Sequence, residues 1–356
     1  MSQSRRIPIA AMLAFMREVL AACGLPNDDA ATVANAMIEA DLSGSDAHGI
    51  FRLAQYAGNL RSGRINPKAK VAVVQRSPAT ALIDGDNGMG HLVMSFAANL
   101  AVEIAREAGV AWVGARRSNH AGAAGVYAAI PLAHGMIGIY AAVSSANHMA
   151  PWGGAEPLMG TNPIAVAIPA GKEAPVVLDI ATSVASFGSI RTHMLAGTPL
   201  PEGWVVDRAT GQSITDPKRV SEGVLLPIGG YKGSGLALII GLLAGVLNSA
   251  SFGRDVIDFT APGTEECNTG QFVIALDVAR FLPPEIFAAE MDRHLQELRS
   301  SVRLPGFDAI RLPGEERRRR REDRSRNGAP LPMALFAQLD ELAVSLQLKP
   351  LRARSG

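Results

Sequence analysis

From about Val71 the helical spacing of apolar residues gives way to short β-like runs between glycine and proline loops, and no G-x-G-x-x-G opens a helix after any of them. The runs cover residues 70–74, 81–84, 110–113, 137–143, 164–168 and 176–180, with one more at 272–276. Helical patterns flank and interrupt them. One covers residues 9–22 and stops at Gly24 and Pro26, and another at 30–40 repeats Val33, Ala36, Met37 and Ala40 behind an Asn27 or Asp28 cap. A third carries His48 to Leu60, and others lie at 94–108, at 235–247 and through the charged C-terminal region. The pattern predicts a mixed α/β (α+β) fold without the Rossmann phosphate fingerprint, so a dinucleotide would have to bind by another route.

The charge balance narrows the partners. Thirty-four basic side chains nearly cancel 33 acidic ones in 356 residues, which leaves no net field for nucleic acid or an anionic membrane. A small molecule or a second copy of the chain is the expected partner. Arg317 to Arg321 form a run of five arginines, but Glu315, Glu316, Glu322 and Asp323 surround it, so it reads as a solvated helix face or subunit contact. Cys23 and Cys267 lie too far apart in the chain to suggest a disulfide framework or a metal-ligand spacing, and a reducing, cytoplasmic setting follows. Leu20 to Cys23 resemble a lipoprotein cleavage box, yet Arg17 and Glu18 interrupt the apolar stretch that a signal needs. The twelve-residue apolar run at 236–247 falls short of the ~20 residues that span a bilayer and reads as a buried helix.

Several segments carry groups suited to chemistry. On a helix, the spacing of His48 and Arg52 places imidazole and guanidinium on one face, where Arg grips a carboxylate and histidine moves a proton. A surface histidine is the plain alternative. His120 stands in a loop before the Ala-rich stretch that starts at Ala121, placed either to meet a bound acid or merely to cap that helix. Gly229-Gly230-Tyr231-Lys232-Gly233-Ser234-Gly235 runs into the apolar helix and could hold a phosphate with free amides and the Lys232 ammonium, or be a turn with a solvated lysine. The turn-rich stretch around His148 and Gly160 to Pro163 reads as an ordered functional loop, with His148 itself structural. Asp179 closes a strand before Thr182 and Ser183, where it can hold ribose or orient a histidine.

Six ordered blocks together resemble the type 2 malate/L-lactate dehydrogenase family, which includes ureidoglycolate, sulfolactate, diketogulonate and piperideine-2-carboxylate enzymes. They are His48 to Arg52, Ser118 to Gly125, Gly160 to Pro163, Leu178 to Ser183, Gly229 to Gly233, and Leu312 to Glu315, spread over nearly the whole chain. The resemblance implies a homodimeric NAD- or NADP-dependent reductase with a non-Rossmann cofactor domain built on a largely antiparallel sheet. It assigns residues 71–284 to that domain, and residues 1–70 with 285–356 to a helical domain carrying catalytic groups and dimer contacts. It makes His48 the proton donor, with His120 and Asp179 as further catalytic groups, and Arg52, Thr161 and Asn162 as substrate contacts. Ser144, Asp179, Ile180, Ala181, Thr182, Ser183, Lys232, Gly233, Pro313, Gly314 and Glu315 would surround the cofactor, and no metal is implied. Three positions depart from relatives: Ala47 replaces a common serine, Ser234 an aromatic residue, and Ser189 a basic one.

The expected reaction is hydride transfer between nicotinamide and a small 2-oxo acid/2-hydroxy acid pair, lactate-like or malate-like. A reductase of cyclic 2-imino acids on the same scaffold is the alternative. More distant readings are a pyridoxal phosphate enzyme using Lys232 and a non-catalytic binding protein.

Overall fold

The computed structural model describes residues 4–354. In chain order the regular elements begin with β1 (Ser4–Ile7), α1 (Ile9–Ala22), α2 (Asn27–Ser43), α3 (Leu53–Arg61), β2 (Ala72–Arg76), β3 (Thr80–Asp84), α4 (Gly90–Ala108) and β4 (Val110–Ser118). Then come α5 (Ala124–Ala128), β5 (Met136–Ala142), β6 (Ile164–Ile168), β7 (Val176–Ile180), α6 (Phe187–Ala196), β8 (Val205–Asp207) and β9 (Gly223–Leu225). The chain closes with α7 (Tyr231–Ala244), β10 (Thr269–Asp277), α8 (Pro284–Ser300), α9 (Glu315–Asn327), β11 (Ala329–Pro332) and α10 (Met333–Ser345).

Seven strands form the main sheet in the order β2-β3-β4-β10-β5-β6-β7. Only β3 and β4 run parallel, joined through α4 as a parallel pair requires; every other neighbouring pair is antiparallel. The mixed α/β class with a mostly antiparallel sheet is therefore observed. Alternation along the central strands explains why both faces are covered. Val273 and Ala275 of β10, with Val113, Tyr140 and Ala165, pack beneath Met94, Ala97 and Ala101 of α4. Phe272 and Ala141 turn the other way, against Ile240 and Ala244 of α7, and Trp112 stacks on Phe272 at 4.3 Å between ring centroids.

A separate core joins the two ends of the chain. Phe15, Met16, Leu20, Val33 and Met37 from α1 and α2 pack with Phe336, Leu339 and Ala343 of α10, and β1 pairs antiparallel with β11. Helix α8 instead lies by the β6–β7 hairpin, where Asp292 accepts from the amides of Gly171, Lys172 and Glu173. Cys23 and Cys267 are buried free thiols.

Several local expectations need correction. Helix α2 starts behind Pro26, with Asn27 already helical and no side-chain cap, because proline's fixed φ sets the entry. His48 does not share an α-helix with Arg52: two 3₁₀ turns, Asp46–His48 and Ile50–Arg52, flank an extended Gly49 before α3 begins. Helix α7 begins at Tyr231, so Lys232 sits inside its first turn. Nor is that helix buried all round, since Leu238, Ile239, Leu242, Val246 and Leu247 along and just beyond it are exposed. The segment Tyr231–Asn248 is long and apolar enough by composition to cross a membrane, yet Ala237, Ile240 and Ala244 on its other side are buried in protein. Residues 187–225 contribute α6, β8 and β9, which short, weakly patterned segments did not announce.

Gly138 in β5 packs so closely on α5 that an added Cβ would overlap the Ala128 carbonyl oxygen. Gly138→Ala should therefore destabilise the fold by about 1–3 kcal/mol, the usual cost of overpacking. A denaturant midpoint unchanged from the parent would show that α5 can move aside.

Candidate active site

The turn that bears His48 is shaped by a buried carboxylate. Asp41, near the end of α2, accepts the Ile50 amide at 2.9 Å, and a Cβ on Gly49 would overlap the same carboxylate. Only glycine lets the backbone fold over Asp41, which ends helical continuity and turns His48 and Arg52 into one cleft. Arg52 is braced by its Nε donating to the Ala47 carbonyl at 3.0 Å. Its guanidinium also lies over Phe51 and Phe259, at 5.6 and 5.3 Å from the ring centroids.

His120 arrives from the loop between β4 and α5. It stacks on Phe259 at 4.7 Å and faces His48 at 5.5 Å. Its Nδ1 accepts from the Gly122 amide at 3.3 Å and lies 2.6 Å from the Tyr56 hydroxyl. A backbone N–H can only donate, so Nδ1 carries the lone pair, the tyrosine donates to it, and the ring proton belongs on Nε2. His91, from the start of α4, packs edge-on against Tyr56 at 5.1 Å; both its ring nitrogens, like His48 Nδ1, are buried without a hydrogen-bond partner.

These imidazoles are held neutral. Burial first, then the Arg52 guanidinium and Arg317, pushes His48 down to about 4, against the pull of Asp179. Burial and the neighbouring His48 take His91 to about 3, and burial, His48 and Arg52 hold His120 well below the ordinary range. Burial pushes the Tyr56 hydroxyl up, so it stays a donor.

The cleft they border encloses about 540 Å³ and is also lined by Ser144, Thr161, Asp179, Ala181 and Arg317. Asp179 Oδ2, at the end of β7, accepts the Gly125 amide at 2.9 Å and pairs with Arg317 at 3.0 Å. The solvated-face reading of residues 317–321 therefore fails at Arg317, which also donates to the hydroxyls of Ser45 and Ser43 at 3.1 Å each.

Other expected site residues lie elsewhere. Asn162 is fully buried and turned inward, accepting the Ser144 amide at 2.9 Å and donating to the Ala237 carbonyl at 2.8 Å, so it braces the Ser144 backbone and leaves the cleft to its neighbour Thr161. Ile180 pairs with Ile164 in the sheet, Thr182 bonds back to the Thr161 carbonyl, and Ser183 to that of Ala185. Lys232 is exposed on α7 and Gly233 buried beneath it; neither lines the cleft. Pro313, Gly314 and Glu315 border a crevice of only about 20 Å³ beside β7 and α8, with Pro313 accepting the Val177 amide at 3.2 Å. A single chain thus brings the imidazoles, Arg52, Ser144, Thr161, Asp179 and Ala181 together and leaves the glycine-lysine turn apart.

Tyr56, His91, Phe259 and Arg317 were not foreseen. Tyr56 follows Arg52 by four residues, a helical spacing that could have drawn attention to it. For the other three no local signal exists, because their neighbours come from distant parts of the chain.

Residues 7–340 match the family model described as malate/L-lactate dehydrogenase. The chain is 35% identical over 345 residues to malate dehydrogenase of Pyrococcus horikoshii, covering 95% of this chain and 94% of that one. The solved structure of that enzyme superposes with a TM-score of 0.90 over 98% of each chain. Identity is 39% over 331 residues to L-sulfolactate dehydrogenase of Methanocaldococcus jannaschii, covering 93% and 94% of the two chains. It is 32% over 327 residues to the (2R)-3-sulfolactate dehydrogenase (NADP(+)) of Chromohalobacter salexigens, covering 92% and 94%.

The carboxylate beneath the His48 turn has its own pH signature. Burial first, and then Asp46, pushes Asp41 up to about 8, from an ordinary value of ~3.9 in an unfolded chain. Its neutral form belongs to the fold, so its contribution to stability is complete below about pH 4 and is lost as pH rises toward about 8. Asp41→Asn keeps an acceptor for Ile50 and removes the titration. The variant should gain stability relative to the parent as pH rises across this window; parallel stability curves would exclude a protonated Asp41.

Proposed function

The chain belongs to the malate/L-lactate dehydrogenase family, and from that premise we propose that it transfers a hydride between NAD or NADP and a small 2-oxo acid/2-hydroxy acid pair. The observation that carries this reading is the stack of His48 and His120 beside Arg52 in one cleft. The partnerless His48 Nδ1 and the adjoining volume fit a flat ring and a small carboxylate, so the cleft suits the cofactor that the family implies. Nicotinamide, when bound, supplies or accepts the hydride.

The chain's own groups have separable tasks. Arg52, stiffened by Ala47 and two aromatic rings, anchors the substrate carboxylate. His120 donates a hydrogen bond from Nε2 to the substrate oxygen, where negative charge grows as hydride arrives, and keeps its proton, while His48 transfers the proton in both directions. His48, neutral at pH 7, accepts the hydroxyl proton during oxidation. A carboxylate docked on Arg52 cancels part of the positive field and raises the proton affinity of His48 toward what reduction needs. Thr161 and Ser144 border the bound acid, and Asn162 serves through the Ser144 backbone.

The remaining assignments are parts of the same proposal. Residues 71–284 form a non-Rossmann cofactor domain, supported by the single parallel strand pair, and residues 1–70 with 285–356 form the helical domain, supported by the joint core of residues 7–65 and 329–351, while α8 reaches across to the β6–β7 hairpin. Asp179, Ile180, Ala181, Thr182, Ser183, Lys232, Gly233, Pro313, Gly314 and Glu315 contribute to cofactor binding. The chain works as a homodimer, for which the apolar face of α7 is the natural contact, and in the cytoplasm, where its buried thiols stay reduced. A pyridoxal role for Lys232 gains nothing from its exposed place outside the cleft.

His48→Gln should lower turnover by about two to four orders of magnitude while reduced nicotinamide still binds, read by its fluorescence. Undiminished turnover removes His48 from the chemistry. A panel of 2-oxo and cyclic 2-imino acids with each reduced nicotinamide separates the hydroxy-acid reading from the imine one. Ile239→Glu should convert a dimer to a monomer in analytical ultracentrifugation; a monomeric parent protein would end the dimer proposal.

A further inference from the structure

Helix α9 reaches the active site from the far end of the chain. Its arginines fasten it to the end of α2 and the His48 turn: Arg321 pairs with Glu39, and Arg324, itself buried, binds the Asp41 carbonyl and the Asp46 carboxylate. These contacts leave Arg317, on the first turn, at a defined place. Its guanidinium meets Asp179 Oδ2 at 3.0 Å and the hydroxyls of Ser45 and Ser43 at 3.1 Å, inside the cleft that holds His48.

We propose that Arg317 is a positioning residue: by holding the Asp179 carboxylate it withholds that charge from His48 and so decides how readily the imidazole takes up a proton. The argument rests on who faces His48. Arg52 follows it on the adjoining turn, His120 stacks on it from the β4–α5 loop, and His91 of α4 is near enough for the two imidazoles to repel when charged. Asp41 of α2 lies beneath Gly49, and Asp46 is tied to Arg324. That leaves Asp179 of β7 as the carboxylate whose field acts on the imidazole, with Arg317 opposing it. Removing the Arg317 charge has two effects of the same sign. A cation beside the imidazole disappears, and a nearby carboxylate loses its neutralising partner, so protonated His48 gains from both. The inference deepens the proposed function, because it assumes that His48 handles the substrate's proton, but the charge balance itself holds without any reaction.

The test therefore has two arms. The imidazole resonance of His48, assigned by its loss in His48→Gln, is titrated by NMR in the parent protein, Arg317→Gln and Arg317→Lys. Arg317→Gln should raise the proton affinity at least about tenfold, one pH unit in the midpoint. Arg317→Lys, which keeps the charge, should stay close to the parent. Asp179→Asn, in a chain with Arg317 intact, should move the midpoint the other way and serves as the second variant should Arg317→Gln fold poorly. In the kinetic arm, the acid limb of kcat/KM for oxidation should shift to higher pH in Arg317→Gln by the same interval. A His48 midpoint that stays put in Arg317→Gln, or in Asp179→Asn, overturns the proposal whatever happens to turnover. A midpoint that moves while neither protein turns over any substrate supports it and instead refutes the dehydrogenase reading.

Discussion

The site depends on a clamp between two segments that lie almost a whole chain apart. Arg324, 278 residues from Asp46, binds that carboxylate and the Asp41 carbonyl. Removing a buried guanidinium from water costs several kcal/mol unless its donors are matched, and here a carboxylate and a carbonyl match them. Directly below, the Asp41 carboxyl receives the Ile50 amide and fills the space a side chain at Gly49 would need. The His48 turn is thus caught between α2 and α9, and its imidazole points where the pair directs it.

The sheet supplies the opposite wall. Its central strands are covered by α4 on one face and α7 on the other, and β10 is paired to β4 and β5 on its two edges. The loop after β4 presents His120, the segment after β5 presents Ser144, and the end of β7 presents Asp179. Rigid strand ends are a sound way to hold groups that must meet within a fraction of an ångström. Phe259, from the irregular stretch before β10, then closes the wall by stacking on His120 and receiving Arg52.

Burial and positive charge act in the same direction on the imidazoles. A histidine shut away from water resists protonation, and a guanidinium alongside strengthens that resistance. The cleft therefore offers neutral rings, one carrying its proton on Nε2 and one with an unpartnered nitrogen, flanked by cations that suit an acid. An anion entering such a space changes the balance it meets. Substrate binding and proton affinity are coupled through the same few charges, which is why Arg52, Asp179 and Arg317 matter beyond their direct contacts.

Much of this is legible in the sequence. The period of the apolar residues located most strands and helices, because side chains must alternate on a sheet and recur each turn on a helix whatever the rest of the fold does. The missing glycine fingerprint and the six motif blocks pointed to the family, and the local chemistry of His48, Arg52, His120 and Asp179 singled them out. Periodicity could not show that Gly49 breaks the helix, since the cause is a carboxylate on α2. Nor could it separate Thr161, which borders the cleft, from Asn162, which turns inward to Ser144 and Ala237. Above all, Arg317 looked like one of five solvated arginines, because sequence reports the charge of a side chain but not its neighbour. Composition and spacing determined which groups were available; only tertiary packing decided which of them share a low-dielectric space, where proximity sets their strength.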